Sequence, residues 1–260
     1  MKYRKAVVAG SFYPDSAEQI NEALGIFLNV ATEPQIQPRA LIVPHAGYCY
    51  SGAIAGSAYA YLKNFSSKIK RVILLGPSHR VPLQGGAISS CDFFSTPLGE
   101  IPVDRESYAL LLQKKLVETC DDAHLLEHSL EVQLPFLQSC LHDFSLVPIV
   151  VGQCLSKSIS EILNVLDVNE PSTLVVVSSD LSHFHSYKKA QLLDQITIEQ
   201  ILNYEYGLAG EDACGCYAVN GLVRYAKSQN WHVTLVDKAN SGDICGRKSE
   251  VVGYASFVFY

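Results

Sequence analysis

Three apolar runs, each followed within a few residues by a histidine, constrain the fold of this chain more than any other feature. The runs are ALIV (residues 40–43), RVILLG (71–76) and TLVVVSS (173–179). The polar residues just beyond them are His45, His79, Asp180 and His183. Continuous apolar runs of this length are typical of strands buried on both faces, as in a parallel sheet.

Helical patterns lie between these runs and three further strand candidates. The additional strands are predicted at 145–151, 232–237 and 250–260. The helices are predicted within 15–30, 52–65, 104–118, 126–141, 188–204 and 216–228. Alternation of strands with helices predicts an α/β fold, a three-layer arrangement with a central, mostly parallel sheet flanked by helices. No long helix separates the last two strands, so we expect them to form an antiparallel pair at one edge.

Length and composition restrict the class of protein further. The chain has 260 residues and no evident linker or repeat, which predicts a single domain over residues 1–260. A net charge of −6 without a long basic block argues against nucleic-acid binding. No apolar run reaches the roughly 18 residues of a membrane span, and the start does not resemble a signal peptide. We therefore expect a cytoplasmic protein whose 8 cysteines are thiols rather than disulfides.

The residues after the three apolar runs form the candidate site. Ligands of open α/β sheets bind at the carboxyl ends of the strands. If the three strands are neighbours, His45, His79, Asp180 and His183 converge on one pocket.

These residue types favour a metal site. Neutral imidazole is the commonest metal ligand in proteins, and two histidines with one anionic group suit non-haem iron. Asp180 or Cys245 is the candidate anion, and a thiolate would favour copper or zinc while still tolerating iron. Asp180 and His183 have an alternative role, in which they orient the ligands or move protons.

Residues around these histidines supply further candidates. Tyr48 and Tyr50 follow His45 closely and are candidates for contact with a substrate. Cys245 lies in a glycine-containing loop before the last strand, where a cysteine is better placed to bind metal than on a helix face. Cys214 and Cys216 form no C-x-x-C pair, so the sequence predicts buried thiols there.

The segment HLLEH (residues 124–128) offers a competing interpretation. It matches a zinc-protease pattern in which His124 and His128 would share one helix face, but no third ligand is evident. The alternative places His128 at the start of the helical pattern that follows, directed into the main pocket. Glu131 would then lie on nearly the same face, and either residue would act as acid, base or support for the ligands.

An ordered series of motifs resembles one protein family. VAGSFYP, VPHAGYCYSG, GPSH, STPLGEIPVD, EHSLEVQLPFL, SSDLSHF, CG and NSGD…VVGYASF occur in that order over nearly the whole chain. They resemble the Memo family, also called AmmeMemoRadiSam system protein B. The resemblance implies a fold similar to class III extradiol ring-cleavage dioxygenases.

The resemblance also implies a set of site residues. The metal ligands would be His45, His79 and Cys245, with Asp180 and His183 lining the pocket. The implied metal is iron or copper, with zinc as a further candidate. Alignment of Cys245 with the family cysteine requires a one-residue shift, so Asp243 or Asp180 could replace it. The glutamate ligand of the dioxygenases has no obvious equivalent.

Two functions follow as hypotheses. The first is a metal-dependent redox or dioxygenase-like enzyme acting on an unknown small substrate, with Asp180, His183 and His128 as candidate catalytic residues. The second is a binding module with a degenerate dioxygenase pocket that holds a peptide or modified residue. The family name also suggests action with a radical SAM partner protein, and exposed strand edges would permit a homodimer.

Overall fold

The computed structural model describes residues 1–29 and 36–260, which form an α/β fold with a mixed sheet flanked by helices. The strands are β1 (Tyr3–Arg4), β2 (Ala40–Val43), β3 (Arg71–Pro77), β4 (Gly86–Ile88), β5 (Phe93–Thr96), β6 (Gly99–Pro102), β7 (Val117–Thr119), β8 (Ser145–Val151), β9 (Thr173–Ser178), β10 (His183–His185), β11 (Val233–Asn240) and β12 (Val251–Phe259). The helices are α1 (Ala17–Phe27), α2 (Tyr48–Tyr59), α3 (Arg105–Gln113), α4 (Asp121–Leu125), α5 (Leu134–Cys140), α6 (Ser156–Val165), α7 (Tyr187–Leu202), α8 (Cys216–Ser228) and α9 (Ser241–Cys245). Two 3₁₀ helices span Ala60–Phe65 and Glu131–Gln133.

The centre of the large sheet is parallel, as the apolar runs predict. Its strand order is β10-β12-β2-β9-β3-β8-β4-β7, and β11 also pairs with β12. The four strands β2, β9, β3 and β8 run parallel to one another. Nearly all of their residues are buried, which explains why they lack polar alternation. The predicted antiparallel pair is confirmed, since β11 and β12 pair along residues 233–240 and 253–259.

A second, three-stranded sheet has the order β1-β5-β6 and has no counterpart in the sequence prediction. Its strands are short, with two to four residues each, so they carry almost no periodicity. The sheet joins the N-terminal residues Tyr3 and Arg4 to Phe93 and Phe94 of β5. It therefore fixes the start of the chain beside the main sheet.

Helices α1 and α2 pack together through glycines. Ser16 caps α1 by accepting a hydrogen bond from the Gln19 amide. A Cβ atom at Gly56 would lie only 2.4 Å from the carbonyl oxygen of Phe27, so glycine allows the close approach of the two helices. Helix α1 ends at Phe27, and the predicted extension to Val30 lies outside the described residues.

Two predicted helices are interrupted, and three helices of the described residues are additional, namely α6 and the five-residue helices α4 and α9. The pattern at 104–118 ends early because Lys115 adopts a positive φ of 57°, after which β7 begins. The pattern at 126–141 becomes a turn, a 3₁₀ helix and then α5, which has a proline in its first turn. Helix α6 has no counterpart in the sequence prediction, although Ile159, Ile162 and Leu163 form its buried face. Within residues 1–29 and 36–260, the helices are too short or too polar to span a bilayer.

Candidate metal centre

The carboxyl ends of β2, β9 and β3 meet at one edge of the sheet. Val43 of β2 pairs with Ser178 of β9, and Leu75 of β3 pairs with Val177. His45 follows Val43 by two residues, Asp180 follows Ser178 by two, and His79 follows Leu75 by four. This register brings the segments with His45, His79 and Asp180 together, as the sequence predicts.

His45 is buried and held from three sides. Its backbone N–H donates to Asp180 Oδ1 at 2.8 Å, so Asp180 fixes the turn that carries the histidine. Its ring nitrogens contact two neighbours: Nδ1 lies 2.9 Å from Ser178 Oγ, and Nε2 lies 3.3 Å from Cys214 Sγ.

The hydrogen bonds of Ser178 determine which ring nitrogen of His45 carries the proton. Ser178 Oγ donates its one hydrogen to the carbonyl oxygen of Ser129 at 2.6 Å and accepts from Gln133 Nε2 at 2.9 Å. The Gln133 amide is oriented by Pro44, whose carbonyl oxygen accepts from the same nitrogen. Because Ser178 has no second hydrogen, Nδ1 of His45 must be the donor to its oxygen. Nε2 of His45 therefore carries a lone pair that a metal ion can accept.

His79 is held by a buried carboxylate. Glu127 Oε1 lies 2.8 Å from His79 Nδ1, and Oε2 accepts the backbone N–H of His79 at 2.7 Å. Burial alone would raise the pKa of Glu127, but hydrogen bonds from His79 and Ser129 outweigh it and lower the pKa to about 2. An ionised carboxylate only accepts hydrogen bonds, so Nδ1 of His79 is the donor and Nε2 is free. Carboxylates orient histidine ligands of metal ions in this way.

His128 completes the group beside His79. The two imidazoles stack with ring centroids 4.6 Å apart, and Nδ1 of His128 lies 3.4 Å from Glu127 Oε1. Phe12 covers the ring of His128 at a centroid distance of 4.6 Å. The His45 ring meets those of His79 and His128 edge to face at 5.2 and 5.4 Å.

The three histidines fit a metal ion. One ring nitrogen from each of His45, His79 and His128 lies within 4.8 Å of the others. Burial lowers the pKa of His128 to about 4 and that of His45 well below its usual range, so both rings are neutral at physiological pH. Neutral imidazoles with fixed tautomers are metal donors, and the group could therefore hold an ion.

Asp180 and His183 lie at the same end of the sheet. Burial raises the pKa of Asp180 to about 7, although N–H groups of His45 and Ala46 oppose the shift. His183 is the first residue of β10, is partly exposed, and has its pKa lowered by burial. The His79 ring is among the charges that influence both groups, so these two candidate catalytic residues lie near the three histidines.

Cys245, Tyr48 and Tyr50 are the remaining predicted site residues, and their surroundings differ. Cys245 is exposed at the last position of α9 and does not belong to the group of ligand atoms found among the described residues. Tyr48 is buried, donates its hydroxyl hydrogen to the Val132 carbonyl oxygen at 2.9 Å, and packs on Phe136. Tyr50 is 42% exposed and is available to a ligand from solvent.

The zinc-protease interpretation of HLLEH does not fit the structure. Helix α4 ends at Leu125, so His124 and His128 do not share a helix. Nε2 of His124 contacts the carbonyl oxygen of Ala87 at 2.9 Å, away from the three histidines. The expectation for Glu131 is also wrong: its carboxylate pairs with Arg4 and accepts the Tyr13 hydroxyl hydrogen at 2.8 Å.

Sequence reasoning missed three residues that hold the site together. Glu127 orients His79, Ser178 orients His45, and Cys214 contacts the free nitrogen of His45. Glu127 was visible as an acid directly before His128, and Ser178 as a polar residue at the end of an apolar strand. Cys214 was predicted only as a buried thiol, because it lies 169 residues from His45 in sequence.

Comparisons with known proteins agree on one family. A family model described as Memo-like protein matches residues 4–258. A MEMO1 family protein of Aquifex aeolicus is 34% identical, with full coverage of both chains. One from Methanobrevibacter smithii is 36% identical over 98% of this chain and 99% of its own. The crystal structure of an uncharacterized protein from Escherichia coli K12 superposes with a TM-score of 0.54 at 11% identity, covering 84% of this chain and 98% of that one, which shows similarity of fold alone.

Proposed function

Because the chain belongs to the Memo-like protein family, we propose that it holds a transition-metal ion on His45, His79 and His128. We further propose that the ion serves redox or dioxygenase-like chemistry on a small substrate. The observation that carries the proposal is the convergence of three imidazoles, two of which have the proton fixed on Nδ1 by neighbouring groups. Metal-ligating histidines almost always donate the other ring N–H to a carboxylate, a carbonyl or water, as His79 does to Glu127.

The donor set supports iron or copper, with zinc as a further candidate. Imidazole nitrogen suits iron, copper and zinc alike, so geometry and availability decide among them. A bound iron or copper ion would supply one-electron chemistry and open positions for a substrate and oxygen. The protein would supply three neutral donors, the Glu127 carboxylate that balances charge beside them, and a pocket closed on one side by Phe12.

Asp180 and His183 are the proposed proton-handling groups. A carboxyl with a pKa of about 7 exchanges protons near neutral pH, and a neutral histidine accepts them. Asp180 also accepts the backbone N–H of His45, so a change in the charge of Asp180 would affect the position of His45 as a metal ligand. His183 is the more accessible of the two groups and is the proposed contact with substrate, together with Tyr50.

Cys245 is the alternative third ligand, in place of His128. The resemblance to the family supports it, whereas the positions of the ligand atoms support His128. Coordination by the exposed Cys245 would require α9 to move toward the histidines. Asp243 would face the same requirement, since its carboxylate caps α9 and accepts the Asn240 N–H at 2.9 Å.

A binding module is the second candidate function. The group of three ligand atoms contains no carboxylate, whereas the facial triad of non-haem iron oxygenases has one. A pocket that holds a metal ion but catalyses no reaction would satisfy the same geometry and would hold a peptide or modified residue.

The family name extends the proposal to cooperation with a radical SAM partner protein, which the gene neighbourhood would test. Cytoplasmic location and a homodimer remain proposals that fractionation and sedimentation would test.

Metal content and oxygen uptake together test the proposal. The protein would be purified anaerobically without chelator or affinity tag, and bound metals would be measured by elemental mass spectrometry. We expect near-stoichiometric iron or copper in the wild type and its loss in His79→Ala. Oxygen uptake by the iron-loaded protein with catechol-type substrates, absent in His79→Ala, would support an enzyme. Bound metal without uptake would favour the binding module, and wild-type protein that takes up no metal would overturn both.

A further inference from the structure

We propose that a cavity beside helix α7 binds a small organic cation that carries a primary ammonium group. The cavity has a volume of about 140 Å³ and is lined by residues of α7, β11, β12 and α9. Its polar side chains are those of Gln191, Asp194, Gln195, Lys238, Asn240 and Asp243. None of the lining residues belongs to the three-histidine group, so this is a second site that does not depend on the proposed metal.

Helix α7 presents polar side chains to the cavity and apolar ones to solvent. Gln191, Asp194 and Ile198 line the cavity and recur at intervals of three and four residues, so they share one face of the helix. A helix that packs on a sheet normally buries an apolar face. Leu192 and Ile196 of the same helix are instead 63% and 47% exposed. Such a local departure from the usual pattern is typical of a face that serves binding rather than packing.

The Asp194 carboxylate is the main recognition group of the cavity. It is only 8% exposed, and its Oδ1 accepts the backbone N–H of Ser182 at 3.0 Å. Within the described part of the chain, no cationic group lies within 4.0 Å of this carboxylate. Burial raises the pKa of Asp194, although Ser182, His185 and Lys238 oppose the shift. A buried carboxylate without a counter-ion is costly, and a bound cation removes that cost.

Gly253 allows the carboxylate to lie directly against strand β12. A Cβ atom at position 253 would overlap Oδ1, Oδ2 and Cγ of Asp194. Any larger residue there would therefore displace the acid from its place beside the strand. A buried acid on α7 is thus combined with a glycine on β12 that leaves room for it.

The charges on the cavity wall favour one additional positive charge. Two carboxylates, those of Asp194 and Asp243, are accompanied by a single ammonium group, that of Lys238. Lys238 Nζ donates to Gln195 Oε1 at 2.7 Å and forms no ion pair with Asp194. Asp243 Oδ2 accepts the Asn240 N–H at 2.9 Å, which leaves its charge in place. The lining therefore has one negative charge more than positive, which a monovalent cation neutralises.

The size and polarity of the cavity favour an organic cation over a metal ion. An apolar cavity of about 150 Å³ accommodates benzene, so this cavity has room for about four carbon atoms and an ammonium group. Ile198 supplies an apolar surface for the carbon atoms, and the Gln191 amide supplies hydrogen-bonding groups. The Lys238 ammonium repels a divalent ion more strongly than a monovalent amine.

An NMR titration with three four-carbon probes tests the inference. At neutral pH n-butylamine is a cation, 1-butanol is uncharged and butyrate is an anion, while their sizes are similar. Amide chemical shifts of the isotope-labelled, full-length protein would be followed at low salt. We expect butylamine to bind saturably with a Kd of about 1 mM and to shift residues 191–198 and 238–243. Butanol and butyrate should bind at least about tenfold more weakly.

Three substitutions separate the contributions to binding. Asp194→Asn keeps an acceptor for the Ser182 N–H but removes the charge, and should weaken butylamine binding at least about tenfold. Lys238→Met removes an exposed positive charge beside the cavity and should tighten binding about two- to fivefold. Asp237→Asn is the matched control on the same strand. The Asp237 carboxylate lies 3.0 Å from the Ser57 hydroxyl and does not line the cavity, so butylamine affinity should be unchanged.

The contrary results are equally definite. Butylamine that causes no saturable shifts around the cavity overturns the inference. Equal affinity for butylamine and butanol would identify an apolar cavity, and tighter binding of butyrate, lost in Lys238→Met, would identify an anion site. Circular dichroism would establish whether Asp194→Asn is folded. If it is not, Lys238→Met decides the question, because unchanged butylamine affinity in this surface variant also overturns the inference. None of these results depends on whether the three histidines hold a metal ion.

Discussion

Glu127 and Glu131 are two equally buried carboxylates one helical turn apart in sequence, and they belong to different parts of the molecule. Each is 1% exposed. Glu127 accepts hydrogen bonds from the side chain and backbone of His79, and so belongs to the candidate metal centre. Glu131 pairs with the buried Arg4 and accepts the N–H groups of Val7 and Val8. Burial of an acidic group therefore does not identify its role; the partner that it holds does.

We expect substitutions of the two carboxylates to affect different properties of the protein. Substitution in the Glu131 region should reduce the stability of the fold and leave the intrinsic affinity for metal unchanged. Substitution of Glu127 should chiefly weaken metal binding.

Glu131→Gln should lower the free energy of unfolding by about 3–5 kcal/mol, because it leaves the Arg4 guanidinium buried without its counter-ion. Chemical denaturation would measure the loss. The double variant Arg4→Met/Glu131→Gln should lose less free energy of unfolding than the two single variants together, because it contains no unpaired buried charge. A single-variant loss below about 1 kcal/mol would show that the ion pair does not secure the N-terminal segment.

His124 should make stability depend on pH. Burial lowers the pKa of this histidine to about 4, compared with about 6.5 in an unfolded chain. Between these values the unfolded state binds a proton that the folded state does not. Stability should therefore fall as the pH falls from about 6.5 to about 4, by about 3 kcal/mol in total from this group.

The measurement is the free energy of unfolding across that pH range, for the wild type and His124→Gln. The variant keeps a donor for the Ala87 carbonyl oxygen but has no proton to gain. Its profile should be flatter by the His124 contribution. Parallel profiles would contradict the assignment of a neutral, buried His124.

Glu127→Gln should weaken metal binding about 10- to 100-fold, which corresponds to roughly 1.4–2.7 kcal/mol. The amide can accept a hydrogen bond through one oxygen only, so it cannot serve both N–H groups of His79 as the carboxylate does. Titration with Co²⁺ under conditions where the protein is fully folded would measure the change. Glu131→Gln is the matched control, and an equal loss of affinity in both variants would remove the distinction between the two regions.

Cys245→Ser should have the smallest effect, with metal affinity and stability close to the wild type. The side chain is exposed on α9 and outside the histidine group. The same Co²⁺ titration would measure the affinity. A loss of Co²⁺ affinity as large as that of a histidine variant would show that α9 moves and that Cys245 binds the ion.

The fold could be predicted from sequence largely because its central strands are buried on both faces. Apolar runs without alternation indicated β2, β3 and β9 as buried strands. Because ligands bind at the carboxyl ends of such strands, the residues that follow them were predicted to lie close together. The strands of the second sheet are too short to show a continuous apolar run. Helix α3 ends early at the positive φ of Lys115, a residue type that does not indicate such a conformation.

The site was harder to predict because its support comes from distant segments. His45 and His79 follow strands and are predicted site residues, whereas their contacts with Ser178 and Glu127 depend on the register of distant segments, which the sequence does not specify. Arg4 and Glu131 are 127 residues apart in sequence, so nothing local marked them as a pair. The position of His128 in the three-histidine group depends on a non-helical segment where the sequence predicts a helix.

The most direct test of the central claim is the affinity of His128→Ala for Co²⁺ or Fe²⁺, compared with the wild type. His142→Ala, at an exposed histidine, is the control. The account predicts that His128→Ala loses most of the affinity while His142→Ala retains it. Wild-type affinity in a folded His128→Ala protein would contradict an ion held by the three histidines.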